Sequence, residues 1–447
     1  MSGIQIRATV AKKITFASHQ NSVPLIRELS LHNVSESDYE NLTLKFSSDP
    51  IFFTPRNWTI DRLRTDDILH IGDLDVMLSG EYLLGLNEAV SGNARFTLHT
   101  KDNDSTVLAS ATQPVELLAH NEWGGVHFMP ELLAAFCASN DPAVDKLLKS
   151  TSEILRQAGR PPHIDGYTSG SRQRVWEIIS AIWSALTSLR LDYALPPASF
   201  ETTGQKIRLP SQIIDSGRAT CLDLVLFLAA ALEQAGFNPI LVFTAGHAFV
   251  GAWLQPEQFS KLIVDEASAL RKRIDLKELL VFETTLATNH PPASFSAAID
   301  EAKRQIAEGR EQDFILATDI RRARMQRVRP LASQAPPAEG DTESTVAYRD
   351  DPLEAAPQGL PDFDTPIGEI PPEETSPQTR LDRWQRKLLD LSLRNRLLNF
   401  RATKKSVKIF CPDPSTLEDR LADGKKMKIV SAPNMEVEDG RPVGRNN

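Results

Sequence analysis

Cysteine is scarce in this chain of 447 residues, which contains only Cys137, Cys221 and Cys411. The three lie far apart, and the sequence has neither a CxxC pair nor a cysteine–histidine spacing typical of metal sites. A sparse, odd set of cysteines argues against a disulfide framework and indicates a reducing compartment. Each thiol is therefore either a buried apolar group or a reactive nucleophile, and we expect no metal and no cofactor.

Long hydrophobic runs are also lacking. The N-terminal residues do not form the continuous apolar core of an export signal. The most apolar stretch, residues 222–232, is interrupted by Asp223, and it is far shorter than the roughly 20 residues that a membrane span requires. We expect a soluble, cytoplasmic protein without a membrane partner.

Excess positive charge is absent from the chain as a whole, because its net charge is −9. This balance excludes a protein built throughout as a polycation for nucleic acid. The phosphate-binding pattern GxxxxGK[ST] does not occur either, so the chain contains no recognisable nucleotide-hydrolysing motor of that type. Its length suggests about three domains.

The pattern along the chain predicts a multidomain α+β protein. In residues 1–118, short β-branched runs alternate with polar turns, which predicts an N-terminal antiparallel β-sandwich acting as a binding or spacer module. Residues 121–330 read as helices followed by short strands, which predicts an α+β domain. Residues 331–379 contain eleven acidic side chains, nine prolines and one basic residue, Arg349. Such a composition predicts a disordered linker.

Cys221 is the best candidate for a reactive thiol. It follows Thr220 and begins a long apolar helix that ends at Gly236. The N-terminus of a helix favours a negative sulfur, and its backbone N–H groups could hold a developing oxyanion. A lone cysteine at the start of an apolar helix is, however, more often part of the core.

A thiol nucleophile also needs a base and a group that orients the base. His247 lies one helix and one strand after Cys221, and Asp265 lies in the following predicted strand, LIVDEA. Neighbouring antiparallel strands could place the carboxylate beside the imidazole and fix its orientation. We therefore predict a catalytic triad of Cys221, His247 and Asp265.

The order of these features resembles the transglutaminase-like superfamily of papain-like folds, over residues 170–290. The matching segments are RATCLD at 218–223, GFNP at 236–239, GHA at 246–248 with Trp253, VD at 264–265, and the helix before them. The resemblance implies an α+β thiol domain acting on a protein or peptide substrate. One departure is that no side-chain oxyanion donor is evident, since only Gln212 precedes Cys221 at a modest distance.

The charge reverses after the linker, and residues 380–447 are predicted to be a basic helical segment. Residues 384–400 of this segment resemble the start of the DUF4011 family, a region found in long bacterial proteins ahead of superfamily 1 DNA helicase motors. Its basic residues are expected to contact DNA phosphates or, alternatively, to form the solvated face of a packing helix. These residues are Arg383, Arg386, Arg394, Arg401, Lys404 and Lys405.

Five further arginines cluster ahead of the linker, at positions 321, 322, 324, 327 and 329. They could touch nucleic acid, but we expect them to pair with the acidic linker.

Three functions remain open at this stage. The first is a thiol enzyme that transfers an acyl group to water, as a protease or deamidase, or to an amine, as a transglutaminase. The second is a catalytically silent binding module with the same fold. The third, compatible with the first, is a DNA-linked role as the N-terminal part of a helicase-associated factor, with genome defence as the expected setting. The substrate and the oligomeric state cannot be read from the sequence.

Overall fold

The computed structural model describes residues 3–100, 103–332, 353–363, 436–438 and 441–443. They divide into two compact units, Met1–Pro371 and Pro372–Asn447. The described part of the second unit is a pair of antiparallel strands, Glu436–Glu438 and Arg441–Val443. The first unit contains both helices and sheets, which confirms the mixed α+β class.

The N-terminal part of the first unit is built from eight strands and two short helices. The strands are β1 Ile4–Val10, β2 Lys13–Ile14, β3 Ile26–Asn33, β4 Tyr39–Asp49, β5 Arg56–Leu63, β6 Ile68–His70, β7 Val90–Thr100 and β8 Asn103–Leu117. The helices are α1 Phe16–Gln20 and α2 Gly80–Leu84. The strands form a three-stranded sheet, β1-β3-β6, and a five-stranded sheet, β2-β8-β7-β4-β5.

One apolar core lies between these two sheets. Leu42, Leu44 and Phe46 are buried at alternate positions of β4, as expected for a strand with one face inward. Phe46 pairs with Phe96 across β4 and β7, and their rings stack with centroids 4.2 Å apart. All strand pairs except the short β2–β8 contact are antiparallel. Two such sheets around one core are the arrangement that the strand pattern predicts.

The central part contains the remaining helices and strands of the first unit. Its helices are α3 Pro142–Gln157, α4 Arg172–Ser188, α5 Phe200–Thr203, α6 Pro210–Ser216, α7 Cys221–Gln234, α8 Ala267–Asp275, α9 Phe295–Gln305 and α10 Ile320–Met325. Short 3₁₀ helices cover Pro130–Phe136, Thr285–Thr288 and Glu308–Asp313. Its strands are β9 Glu122–Trp123, β10 Asp192–Tyr193, β11 Gln205–Lys206, β12 Arg218–Ala219, β13 Pro239–Thr244, β14 His247–Trp253, β15 Ile263–Val264, β16 Leu279–Phe282 and β17 Phe314–Asp319.

A five-stranded antiparallel sheet, in the order β15-β17-β13-β14-β16, supports the central helices. Helix α7 packs on β13 and β14, and α3 and α4 also contact it. Every residue of α7 from Cys221 to Leu232 is buried, so this helix lies inside the domain. A helix that is apolar on all sides has this position in a globular fold.

Part of the predicted linker is ordered against this domain, which corrects the expectation of disorder over residues 331–379. Leu353, Ala356, Leu360 and Phe363 pack against the main core. The composition argument fails here because these apolar side chains recur within an acidic stretch and bury together. The described part of the chain includes no helix long and apolar enough to cross a membrane.

Candidate thiol active site

Cys221 is the first residue of α7, and the turn before it is fixed by reciprocal hydrogen bonds. The Thr220 hydroxyl accepts from the backbone N–H of Asp223 at 3.2 Å, and the Asp223 carboxylate accepts from the backbone N–H of Thr220 at 3.0 Å. This capping box holds the helix N-terminus in place. The sulfur therefore lies where free N–H groups and the helix dipole favour negative charge.

Asp223, the acidic residue two places after the cysteine, has a structural role. It is fully buried, and it accepts hydrogen bonds at 2.9 Å from both the backbone N–H and the guanidinium of Arg208. With its bond to Thr220, the carboxylate ties the loop before α6 to the start of α7. This acid thus builds the turn that carries Cys221.

His247 reaches Cys221 because a tight hairpin returns the chain to the helix N-terminus. Strand β13 packs on α7 and leads from the end of that helix to the turn, and β14 begins after the turn with His247 opposite Thr244. The two connecting residues, Ala245 and Gly246, include a left-handed backbone at Gly246, with φ 69°. That conformation favours glycine, which explains the glycine directly before the histidine.

The imidazole of His247 joins the thiol to a carboxylate. Its Nε2 lies 2.7 Å from Oε2 of Glu283, and the Cys221 side chain is close enough to the ring to raise the pKa of His247. His247 therefore contacts the carboxylate of Glu283 and neighbours the thiol of Cys221. These three side chains form one row.

Glu283 is held by four hydrogen bonds. Its Oε2 accepts from His247 and, also at 2.7 Å, from the side-chain amide of Gln305. Its Oε1 accepts from the backbone N–H of Thr285 at 2.9 Å and from the Thr285 hydroxyl at 2.8 Å. The side chain is 2% exposed. A buried carboxylate with both oxygens satisfied can hold the imidazole in one orientation.

The structure does not bring Asp265 to this row, and the predicted carboxylate is replaced by Glu283. Asp265 follows β15 and is exposed. In the sheet, β17 and β13 separate β15 from the histidine strand β14, whose other neighbour is β16. Glu283 directly follows β16. The prediction assumed that the next strand in sequence lies beside β14, and this assumption is wrong.

The charges of the row are set by burial and by hydrogen bonding. Burial disfavours a charged imidazole, but hydrogen bonds to Cys221 and Glu283 outweigh it and raise the pKa of His247 from 6.5 to about 10. Burial likewise disfavours a charged Glu283, yet its hydrogen bond to His247 lowers the pKa of Glu283 below its usual value. At neutral pH these groups form an imidazolium–carboxylate pair beside the Cys221 side chain.

A tyrosine that the sequence argument missed also contacts the thiol. The side chain of Tyr193 lies beside that of Cys221. Strand β10 pairs with β12 so that Tyr193 lies opposite Ala219, two residues before the cysteine. Burial, followed by the electrostatic interaction with Cys221, raises the pKa of Tyr193 above its usual range. The phenol therefore stays protonated at neutral pH and is a hydrogen-bond donor beside the sulfur.

Cys221 itself has no exposed surface. Tyr193 contacts the sulfur and is 37% exposed, so it reaches from the thiol to solvent. A cleft of about 520 Å³ opens beside the other two members of the row, and Cys221 does not line it. Its lining is mostly polar and consists of Thr244, Ala245, His247, Glu283, Thr285, Leu286, Glu301, Gln305, Arg310 and Asp313.

Other residues singled out in the sequence have different positions. Gln212 caps its own helix, since its side-chain oxygen accepts from the backbone N–H of Leu209 at 3.0 Å. Arg324 is not a surface contact for nucleic acid or for the linker, because it binds Glu233 through two hydrogen bonds of 2.8 and 2.9 Å. Arg322 donates to the backbone oxygen of Ser260 at 3.0 Å. The basic residues proposed to contact DNA, and Cys411, lie outside the described residues.

A sequence signal for Glu283 does exist. The run LLVF at 279–282 is apolar throughout, and an acid follows it directly. An ionisable residue at the end of a fully buried strand needs a partner, so Glu283 could have been considered. For Tyr193 and Gln305 the chain gives no such signal.

Comparison with known proteins gives one match. Residues 387–445 match the model of DUF4011, described as a protein of unknown function. This confirms the resemblance found in the basic segment. No curated protein and no solved structure gives a significant match to the chain.

Proposed function

We propose that this protein is a thiol-dependent acyl-transfer enzyme. Cys221 is the nucleophile, His247 the general base and acid, and Glu283 the group that orients the imidazole. The observation that carries the proposal is the position of His247, which is hydrogen-bonded to the buried carboxylate of Glu283 and neighbours Cys221 at the N-terminus of a buried helix. This combination of nucleophile, base and orienting acid is the one that acyl transfer requires.

The proposed reaction has two stages, formation of an acyl-enzyme and its hydrolysis. The Cys221 thiolate attacks a carbonyl carbon, and the carbonyl electrons move to oxygen, where free N–H groups at the start of α7 stabilise the negative charge. The C–S bond stays while the bond to the leaving amine breaks, and the His247 imidazolium gives that amine its proton. Water then attacks the thioester as His247 takes its proton, and the acid is released with the free thiol. An amine in place of water would give a transglutaminase.

We favour hydrolysis of a protein or peptide carboxamide because water is always present. No feature of the described residues identifies the acyl acceptor. Since the sulfur is fully covered, substrate must displace the Tyr193 side chain before attack. After this movement, the Tyr193 hydroxyl is a further hydrogen-bond donor close to the reacting carbonyl.

Alkylation by iodoacetamide tests the proposal, and Cys137 is an internal control. Both thiols are fully buried, so burial alone would protect them equally. Among the described residues, the charged groups beside Cys137 are Glu233 and Arg324, and burial together with the charge of Glu233 raises the pKa of Cys137 well above its usual value. We expect Cys221 to react about tenfold faster or more at pH 7, since an ordinary thiol is only a few per cent thiolate there.

His247→Ala should slow the alkylation of Cys221 to the rate at which Cys137 is alkylated, and it should leave the alkylation rate of Cys137 unchanged. Peptide mapping by mass spectrometry measures both sites in one sample. Equal rates for the two cysteines in the parent protein would contradict an activated nucleophile.

A silent scaffold is the second candidate, and the complete burial of the Cys221 sulfur favours it. In that case a partner would bind the fold without turnover. Cys221→Ala in the organism separates the two functions. If the Cys221→Ala strain behaves like the parent strain, the scaffold is supported. If it behaves like a strain from which the whole gene is deleted, catalysis is supported.

We further propose that the enzyme belongs to a helicase-associated protein, with a role in genome defence. The support is the family match at residues 387–445 together with the resemblance of that region to segments that precede DNA helicase motors. The charge reversal after the linker agrees with DNA contact by the basic segment.

A further inference from the structure

Residues 353–363, called the strap below, lie across the helices of the central domain. The Glu354 carboxylate accepts from the backbone N–H of Phe295 and from both the backbone N–H, at 3.1 Å, and the hydroxyl of Ser296. These donors form the first turn of α9. A carboxylate at a helix N-terminus satisfies free N–H groups and complements the helix dipole. The strap thus caps α9 from outside.

Further contacts fix the rest of the strap. The Lys277 ammonium donates to the backbone oxygen of Gly359 at 3.0 Å, and the Phe363 N–H donates to the backbone oxygen of Gly170 at 2.9 Å. The backbones of Asp362 and Ser171 form an isolated antiparallel β-bridge. The Phe363 ring meets that of Tyr167 edge to face, with centroids 6.0 Å apart. Polar and apolar anchors therefore occur at both ends.

Helix α9, which the strap caps, is also the support of the proposed orienting acid. The backbone N–H of Glu283 donates to the backbone oxygen of Ala298 at 2.9 Å, and Gln305 at the end of α9 donates to the Glu283 side chain at 2.7 Å. The first residue of α9, Phe295, packs edge to face on Phe282, the neighbour of Glu283. Movement of α9 would thus change both the backbone and the side-chain contacts of Glu283.

Tyr167, which contacts Phe363 of the strap, is hydrogen-bonded to the strand that carries His247. The Tyr167 hydroxyl donates to the backbone oxygen of Trp253 at 2.9 Å and accepts from the backbone N–H of Asn238 at 2.9 Å. Trp253 ends β14, the strand that His247 begins. The strap is therefore connected to the contacts of Glu283 through α9, and to the far end of the strand that His247 begins.

We propose that the strap is a regulatory latch, whose docking on α9 and Tyr167 holds Glu283 and His247 in the reactive arrangement. The strap belongs to the segment that joins the thiol domain to the DUF4011-matching region. A force or a partner acting on that region would release the strap and lower the reactivity of Cys221. This inference rests on the proposed function, because it concerns the regulation of the same site.

The test uses the full chain with three variants: Glu354→Ala, the milder Glu354→Gln, and Gln358→Ala at an exposed position of the strap as a control. Hydrogen exchange over 295–305 and 353–363 reports docking, and the pH profile of Cys221 alkylation reports the site. We expect Glu354→Ala to speed exchange in both segments and to slow alkylation at pH 7 about threefold. Glu354→Gln should show a smaller effect and Gln358→Ala none.

The outcomes separate the two proposals. If Glu354→Ala speeds exchange but leaves Cys221 alkylation unchanged, while His247→Ala slows it, the strap is only packing and the latch is overturned. If His247→Ala also leaves alkylation unchanged, the proposed function itself fails. A rise in the alkylation rate of Cys137, which is fully buried in the folded protein, would reveal general misfolding, and Glu354→Gln then decides the matter.

Discussion

Glu283 shows most clearly how a residue's role depends on its surroundings. It combines burial with four hydrogen bonds, two of them from Thr285 and one each from His247 and Gln305. Replacement by glutamine keeps the size but removes the charge. Because the carboxylate contributes to the raised pKa of His247, its loss should return that pKa towards the ordinary value near 6.5.

The sign of the pH effect follows from this shift. A pKa raised in the folded state contributes stability that is complete below pH 6.5 and is lost as pH rises through about 10. We therefore expect Glu283→Gln to lower the free energy of unfolding by about 1–3 kcal/mol at pH 7, and by less near pH 10. Urea titrations at both pH values measure the difference.

Glu278→Gln is the matched control, since Glu278 is also buried and pairs with Arg273 at 2.7 Å. Arginine remains charged throughout this range, so the effect of the control should change little with pH. If the loss of unfolding free energy in Glu283→Gln were also the same at both pH values, the result would contradict an ion pair between Glu283 and His247.

At the scale of elements, three could be predicted from the sequence: the helix that begins with Cys221, the strand that follows it, and the strand that begins with His247. The apolar run after Thr220 predicts the helix, and the glycine before His247 predicts the turn, because both depend on local sequence. The order of strands in the sheet depends on long-range packing, so local sequence does not predict it. For this reason chain order favours Asp265, which is nearer in sequence to His247, over Glu283. The average composition of the acidic linker does not reveal the strap, because that average hides the apolar side chains at 353–363 that pack on the core.

The capping box of α7 gives a prediction at this scale. Thr220→Ala removes the hydroxyl that accepts from Asp223 and should lower the free energy of unfolding by about 1 kcal/mol. It should also slow Cys221 alkylation, because the sulfur shares this helix terminus. Thr15→Ala removes a similar cap from α1, where the Thr15 hydroxyl accepts from the backbone N–H of Ser18 at 3.1 Å.

The two cap variants should therefore cost similar stability in urea unfolding and differ in their effect on the thiol. An unaltered alkylation rate in Thr220→Ala would show that the helix terminus does not tune Cys221.

For the whole molecule, an acidic chain carries one strongly basic segment. If Arg383, Arg386, Arg394, Arg401, Lys404 and Lys405 each meet a phosphate, affinity for duplex DNA should fall with salt at a slope of about −5 on logarithmic axes. Changing all six to glutamine should remove most of this slope. Fluorescence anisotropy at several salt concentrations measures it, and a flat salt response in the parent would argue against DNA contact.

The enclosed sulfur has a consequence for the chemical durability of the proposed nucleophile. A thiolate in contact with solvent is oxidised by peroxide to sulfenic acid and then irreversibly to higher acids. Cys221 has no exposed surface, and Tyr193 is its partly exposed neighbour. If substrate enters by displacing the phenol, as the proposed mechanism requires, small oxidants must wait for the same movement. The resting protein should therefore keep Cys221 reduced under oxidative stress, and peroxide should reach the sulfur only during turnover.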